Sequence, residues 1–356
     1  MNTPSRRYSI AVIAGDGIGL EVVPAALSSL RVVAARHDFE LAVTEYPWGS
    51  AYFHAHGSMM PADGLDQLAG HEAIFLGAVG DPAIPDTETL WGLLIPIRRT
   101  FDQYINLRPV RTLPGVPARV LDAGELDLVI VRENVEGEYS TVGGRIYTGQ
   151  PHETAVQEAI FTRRGVARAA EFAARLASSR TGRLTSATKS NGIIHTMPFW
   201  DEVVAETMAG HPDVTLDKVL IDALAAKLVL APGSFDVIVA SNLFGDILSD
   251  LAAAIAGSIG VAPSGNLNPE RAHPSMFEPV HGSAPDIAGL GVANPIGQIW
   301  AGAMMLDHLG ETAAAAELVG AFESCLVDGV RTRDLGGTAG TEEFTAAVNS
   351  RLAALP

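Results

Sequence analysis

The stretch Ser241-Asn242-Leu243-Phe244-Gly245-Asp246-Ile247-Leu248-Ser249-Asp250 decides how the rest of the chain is read. An apolar, strand-like run at 235–240 leads into it, and a helix rich in small residues at 251–258 leads out. Asp246 and Asp250 are four residues apart, so on a helix they stand one above the other on a single face. Carboxylates so placed repel each other unless positive charge lies between them. A divalent cation with hard oxygen ligands is one source of that charge. The alternative is a solvated acidic turn at the start of a helix, which the helix dipole favours unaided.

The surrounding chain has 356 residues, enough for two domains or one large one. Hydrophobic residues make up 47% and charged residues 18%, so a large core is available and disorder is not expected. A net charge of −17 argues against nucleic acid as a partner, because phosphates need a basic face. The single cysteine, Cys325, lies in an apolar helical run and has no internal partner for a disulfide. It is expected to be a buried packing residue in a reducing cytosol. The apolar run after Arg6 and Arg7 is too short for a signal peptide or a membrane span. A cytoplasmic protein with no membrane partner is therefore expected.

Upstream, residues 8–14 read as a buried strand, followed by the turn Gly15-Asp16-Gly17-Ile18-Gly19 and a helix at about 20–37. Strands at 39–46 and 73–76 come next. This alternation indicates an α/β domain on a largely parallel sheet. The glycines lack the G-x-G-x-x-G spacing of a dinucleotide fingerprint, so the turn is read as a tight strand-to-helix connection. Residues 81–89 read as a loop, and 90–104 as a helix with a kink or boundary at Pro96. Residues 106–111 are extended, and a strand at 126–131 leads into Arg132-Glu133-Asn134-Val135-Glu136-Gly137-Glu138-Tyr139. Residues 140–157 read as a protruding β-arm. Further helices are expected at 159–179, 199–209, 223–229, 296–309 and 313–327, a strand at 184–188, and loops at 263–274 and 277–295. No linker separates the halves. That suggests domains interleaved by crossings of one shared sheet system.

Several residues have the chemistry of a site. Arg98, Arg108 and Arg132 lie at element ends beside loops. Arginine forks bind carboxylates bidentately, so three of them in so acidic a chain suggest a small polycarboxylate; the alternative is three surface ion pairs. Lys189 directly follows a strand, where ligand crevices form, and is a candidate general base, or else a solvated lysine. Tyr139 is a candidate proton donor, or else a packed aromatic. Asp222 interrupts an apolar run, where a carboxylate is costly unless paired or metal-bound, and supplies a third hard oxygen ligand beside Asp246 and Asp250. His281 lies in a loop of small residues that lets a flat ring approach the backbone, or else in a structural turn. Asp286 in the same loop suits ribose hydroxyls and repels a 2′-phosphate, which selects NAD over NADP.

Six motifs occur in order along almost the whole chain: Gly15-Asp16-Gly17-Ile18-Gly19, Asn106-Leu107-Arg108-Pro109, Val131-Arg132-Glu133-Asn134, Thr188-Lys189-Ser190-Asn191, Asn242 to Asp250, and Glu278-Pro279-Val280-His281-Gly282-Ser283-Ala284-Pro285-Asp286. In these the chain resembles the β-decarboxylating dehydrogenases, the isocitrate/isopropylmalate dehydrogenase family. Residues 90–104, 264–271 and 300–307 look most like its tartrate and D-malate branch. Isocitrate enzymes carry Ser and Asn where Gly92 and Leu94 stand here, and isopropylmalate enzymes usually carry Glu where Trp91 stands. A bulky Trp91 suits a substrate with little at C3, while the apolar Leu94 and Ile95 keep 3-isopropylmalate open as the alternative substrate.

The resemblance implies an α/β fold of two domains sharing a large twisted sheet system. The first, nucleotide-binding domain is expected at about 1–103 plus 257–356, and the second, for dimerisation and the metal and substrate, at 104–256. It implies a homodimer with shared active sites, the arm at about 136–157 exchanged across the dimer interface, and Lys189 and Asp222 entering the partner's site. It implies NAD held by His281, Gly282, Ser283, Ala284, Asp286 and Asn294, and Mn²⁺ or Mg²⁺ held by Asp222, Asp246 and Asp250, with K⁺ as a candidate monovalent cation. The implied reaction is oxidative decarboxylation of a small 2-hydroxy dicarboxylic acid, such as D-malate to pyruvate and CO2, or tartrate. Arg98, Arg108 and Arg132 bind its carboxylates, Trp91 and Leu94 read its variable group, and Tyr139, Lys189 and Asp222 act in catalysis.

Overall fold

The computed structural model describes residues 6–117 and 126–355. They fall into two compact units. One is Met1–Gln103, Thr112–Leu121 and Ala253–Pro356; the other is Tyr104–Arg111 with Asp122–Ala252.

In the first unit the strands run in the order Phe39–Glu45, Arg6–Gly15, Ala73–Ala78, Ser275–Pro279, Pro263–Leu267. The first four are parallel and the last is antiparallel to its neighbour. Ala73–Ala78 is buried along its whole length, as is Ile10 to Ile13, which is what a parallel sheet covered on both faces requires. The helices Gly19–Arg36, Ile296–Leu309, Thr312–Val327 and Thr341–Ala354 pack on one another. Cys325 is buried among them, where burial pushes its thiol up.

The glycine turn owes its shape to two positive φ angles, +73° at Gly15 and +54° at Gly17. A Cβ on Gly17 would stand 2.0 Å from the carbonyl oxygen of Ser283, so glycine lets the turn press against the loop that carries His281. Asp16 fixes the turn from within. Its carboxylate accepts from the Ser50 amide and hydroxyl, both at 2.7 Å, and from the Gly80 amide at 2.8 Å.

Several segments differ from the sequence reading. The helix expected at 90–104 begins earlier, at Asp86, and stops at Thr100. Its centre, Leu90–Leu94, is a π turn. Pro96 comes two residues later, in the first turn of Ile95–Thr100; it lacks the N–H that an α-helical ladder needs, and the wider turn before it accommodates this. Asp102, at φ +41°, ends the run. Strands Pro263–Leu267 and Ser275–Pro279 lie in segments read as loops. Their prolines stand at strand ends, where no ladder bond is lost, and Asn266 Nδ2 ties one strand to Glu278 Oε1 of the other at 2.7 Å. The helices Ser50–His56, Gly64–Ala69 and Thr341–Ala354 have no counterpart in the sequence reading.

In the second unit Ile105–Arg111 lies antiparallel to Asp127–Glu133, and Val237–Ala240, Arg183–Thr188 and Thr215–Leu220 follow in parallel. The helix Arg163–Ser178 covers this sheet with an alanine stripe, Ala169, Ala170, Ala173, Ala174 and Ala177, all fully buried at helical spacing. Thr162 caps it by accepting from the Gly165 amide at 3.0 Å. Gly143–Ile146 and Thr154–Gln157 form a separate exposed antiparallel hairpin within the segment read as a β-arm.

Candidate active site

The strand Val237–Ala240 ends at Ser241, and the helix Asn242–Ala256 starts at once. Asp246 and Asp250 therefore share one helical face. The positive charge facing them comes from two strand arginines. Arg108 pairs opposite Ile130, and Arg132 opposite Asn106, so the two guanidiniums leave the same face of the antiparallel pair. Arg132, 2% exposed, donates through Nε (3.0 Å) and Nη2 (2.6 Å) to Asn242 Oδ1 and through Nη1 to Asp246. Arg108 Nη2 lies 3.2 Å from Asp246 Oδ1, and its Nη1 lies 3.4 Å from Asp250 Oδ1 and donates to the Ser249 hydroxyl. The close approach depends on Gly245, where a Cβ would stand 2.6 Å from the Arg132 Cβ. The Asp246 and Asp250 side chains stay 34% and 54% exposed. Burial pushes the Asp250 carboxyl up and Asp246 adds to this, while Arg108 and Arg132 oppose it.

Tyr139 joins the group from the loop after Asp127–Glu133. Its hydroxyl donates to Asp246 Oδ2 at 3.0 Å, and the Arg132 guanidinium lies 5.6 Å from its ring centre. Burial, and then the Asp246 charge, raise the phenol's pKa. A proton held this firmly stays available for donation at neutral pH.

Lys189, one residue past the strand Arg183–Thr188, forms a second group. Its Nζ lies 2.7 Å from Asp222 Oδ1 in the first turn of the helix Ile221–Leu230. The apolar run around Asp222 is not a buried one, which corrects the sequence reading. The Asp222 side chain is 65% exposed, and only Leu224 and Leu228 of that helix are buried. The lysine's hydrogen bond holds the Asp222 carboxyl below the usual range. Within one chain Asp222 is not brought to Asp246 and Asp250; among the described residues no three His, Cys, Asp or Glu side chains are grouped to hold a metal.

The remaining candidates belong to the first unit. Arg98, in the helix Ile95–Thr100, donates through Nη2 to Glu278 Oε1 at 2.8 Å. In the π turn Trp91 is half-buried beneath the Arg99 guanidinium, 5.0 Å from its ring centre, whereas Leu94 is buried in a core cluster with Leu93, Ile97 and Met59. In the loop after the strand Ser275–Pro279, His281 is buried, its Nδ1 3.0 Å from the Gly282 carbonyl and its Nε2 without a hydrogen-bond partner. Burial pushes its pKa down, leaving a neutral ring. The Ser283 carbonyl accepts from the Ile18 amide at 2.9 Å, Ala284 sits at φ +41°, and Asp286 is exposed. Asn294 Nδ2 donates to Asp334 Oδ2 at 2.9 Å.

Sequence reasoning missed the residues that orient these groups: Asn242 for Arg132, Glu278 for Arg98, and Asp16 for the glycine turn. Each lies inside a quoted motif, but only the fold shows what its side chain reaches.

Guanidiniums from an antiparallel strand pair meet carboxylates on the helix that leaves the carboxyl end of a parallel strand, which places this chain among α/β enzymes with chemistry at strand ends. The chain belongs to the isocitrate/isopropylmalate dehydrogenase family, whose sequence model matches residues 9–348. It is a dehydrogenase. It is 51% identical over 349 residues to a probable tartrate dehydrogenase/decarboxylase of Bacillus subtilis (strain 168), covering 98% of each chain. It is also 51% identical over 349 residues to the D-malate dehydrogenase [decarboxylating] of Escherichia coli (strain K12), covering 95% of this chain and 97% of that one. Among solved structures it is similar to the isocitrate dehydrogenase of Methylococcus capsulatus, with a TM-score of 0.88 at 32% identity over 97% of this chain and 99% of that one.

Proposed function

We propose that the chain catalyses the NAD-dependent, divalent-metal-dependent oxidative decarboxylation of a small 2-hydroxy dicarboxylic acid, D-malate or tartrate. The observation that carries this reading is the convergence of Arg108, Arg132 and Tyr139 on Asp246 and Asp250. Two guanidiniums suit a dicarboxylate, and the phenol stands beside them with its proton held on.

Two open carboxylates one helical turn apart fit part of the oxygen shell of Mn²⁺ or Mg²⁺. Asp246 and Asp250 would hold the ion together with Asp222 contributed by a second copy of the chain. When bound, the cation supplies Lewis-acid stabilisation of charge developing on the substrate's oxygens. The chain's own residues do the rest. Arg98, Arg108 and Arg132 orient the carboxylates. Lys189, paired with Asp222, would take the C2 hydroxyl proton, and NAD, when bound, would supply the acceptor for the C2 hydrogen as hydride. The C3–carboxylate bond breaks, CO2 departs, and Tyr139 returns a proton to C3. For D-malate the products are pyruvate, CO2 and NADH.

The first unit would carry NAD. The unpartnered, buried Nε2 of His281 and the pressed contact between the Gly17 turn and Ser283 support a built cradle there, with Gly282, Ala284, Asp286 and Asn294 around it. The dimer reading rests on the arm, which exposes Val142, Ile146, Tyr147 and Val156. Half-buried Trp91, lying under Arg99, and inward-turned Leu94 favour a substrate with little at C3 over 3-isopropylmalate. Initial rates with D-malate, tartrate and 3-isopropylmalate, each with NAD and Mn²⁺, test the proposal. Turnover of D-malate or tartrate at least tenfold above 3-isopropylmalate is expected, and the reverse order would overturn it.

A further inference from the structure

The loop that carries Tyr139 is fastened to the amino end of the acidic helix by a residue with no role so far. Glu138 accepts from the Ser241 hydroxyl through Oε1 at 2.7 Å and from the Leu243 amide through Oε2 at 3.1 Å. Ser241 is fully buried, and Leu243 lies in the first turn of the helix, whose amides have no partner within the helix itself. A carboxylate there satisfies an orphan N–H and meets the positive end of the helix dipole. The Ser241 hydroxyl, in the place where a serine ordinarily caps its own helix, donates to Glu138 instead. The cap is therefore supplied from the neighbouring loop. A second tie lies one residue along, where Asn242 Nδ2 donates to the Glu136 carbonyl at 3.1 Å. Tyr139, the very next residue after Glu138, then reaches Asp246 on the same helix at 3.0 Å.

We infer that Glu138 is a positioning residue for Tyr139: it clamps the loop to the helix so that the phenol is delivered to the acidic pair. The inference rests on the reading of Tyr139 as proton donor. Two neighbouring residues grip one helix at its first turn and one turn further on, so the clamp fixes both the distance and the direction of the hydroxyl. Without Glu138 the loop keeps its bonds to Ile160 and Thr162 on the side away from the helix, while the Asn242 bond and the phenol's own bond still tie it to the helix; a displacement of about 1 Å at a reacting group costs on the order of 100-fold in rate.

The experiment is a double-mutant cycle between Glu138→Ala and Tyr139→Phe, read as kcat and KM for D-malate with NAD and Mn²⁺. Hydrogen exchange of the 136–141 and 241–247 segments is followed alongside. Glu138→Ala is expected to lower kcat roughly tenfold with KM for NAD unchanged and to speed exchange in both segments. In the Tyr139→Phe background the same change should cost less than about twofold, because the group it serves is gone. Glu138→Gln, which keeps one acceptor, should recover part of the rate. Additive losses, or no loss in Glu138→Ala, would overturn the positioning role. Should Glu138→Ala fail to fold, Glu138→Gln carries the same cycle. If the unaltered enzyme turns over none of the three acids, the functional reading fails, while the exchange rates still decide whether Glu138 holds the two segments together.

Discussion

Tyr139 donates its hydroxyl proton to Oδ2 of Asp246, 3.0 Å away, while Arg132 binds the other oxygen of the same carboxylate. The aspartate thus fixes the direction of the phenol, and the guanidinium offsets the aspartate's charge. Replacing Tyr139 by Phe removes the proton and little else, since the ring is partly exposed and one hydrogen bond is worth about 1 kcal/mol. Decarboxylating turnover should fall on the order of 100-fold, the scale of general-acid catalysis. Reduction of a 2-oxo acid by NADH needs no proton at C3 and should fall only a few-fold. Steady-state rates of the two half-processes test this, and equal losses would remove the donor role.

Asp250 pairs with Arg108 at 3.4 Å, with its side chain 54% exposed. That contact is long and open, so Asp250→Asn should leave the fold intact. Its effect should appear in the metal titration, as an apparent Mn²⁺ constant raised at least about tenfold. A titration that overlays the unaltered enzyme's would detach Asp250 from any metal.

How much of this was visible in the sequence depends on how local the cause is. The spacing of Asp246 and Asp250 sets their shared face through helix geometry alone. Ile10 to Ile13 and Ala73 to Leu76 announce buried strands by their unbroken apolar run. By contrast, Pro263–Leu267 and Ser275–Pro279 hide as strands, because their proline and glycine content reads as loop and only the pairing between them makes them strands. The π turn at Leu90–Leu94 was equally hidden, since a single added residue per turn leaves no periodic trace over five positions. Asp222 misled for the opposite reason: its apolar neighbours suggested burial, yet of its helix only Leu224 and Leu228 are buried in the single chain. That Arg108 and Arg132 meet one carboxylate follows from strand register, which a sequence does not display.

Asp286 is exposed, and it follows Ala284, whose φ of +41° turns the loop sharply just before it. If it holds the ribose hydroxyls of NAD, its carboxylate also excludes a 2′-phosphate by charge. Asp286→Ala should therefore weaken NAD and relieve the repulsion of NADP, shifting the ratio of their kcat/KM values by about tenfold or more, the scale of a charge-assisted hydrogen bond. An unaltered ratio would place the discrimination elsewhere.

Glu133 gives the fold a pH dependence whose direction can be derived. It is fully buried beneath the Tyr139 loop, and burial lifts its carboxyl from 4.5 to about 7. The Glu136 and Val135 amides that it accepts from, and Arg168 nearby, oppose the shift without cancelling it, while the Glu136 charge adds to it. The folded chain thus keeps this proton to a higher pH than the unfolded chain does. The associated stability is fully present below about 4.5, declines as pH rises towards 7, and is gone above that. Its size is at most about 3 kcal/mol. Glu133→Gln carries a permanently neutral side chain of the same shape, so its midpoint for thermal unfolding should change less between pH 5 and pH 8 than that of the unaltered protein. The difference between the two melting curves isolates Glu133 from every other titrating group. If the two midpoints fall in parallel across that range, the buried carboxyl is ionised in the folded state and the loop beneath Tyr139 is held by charge.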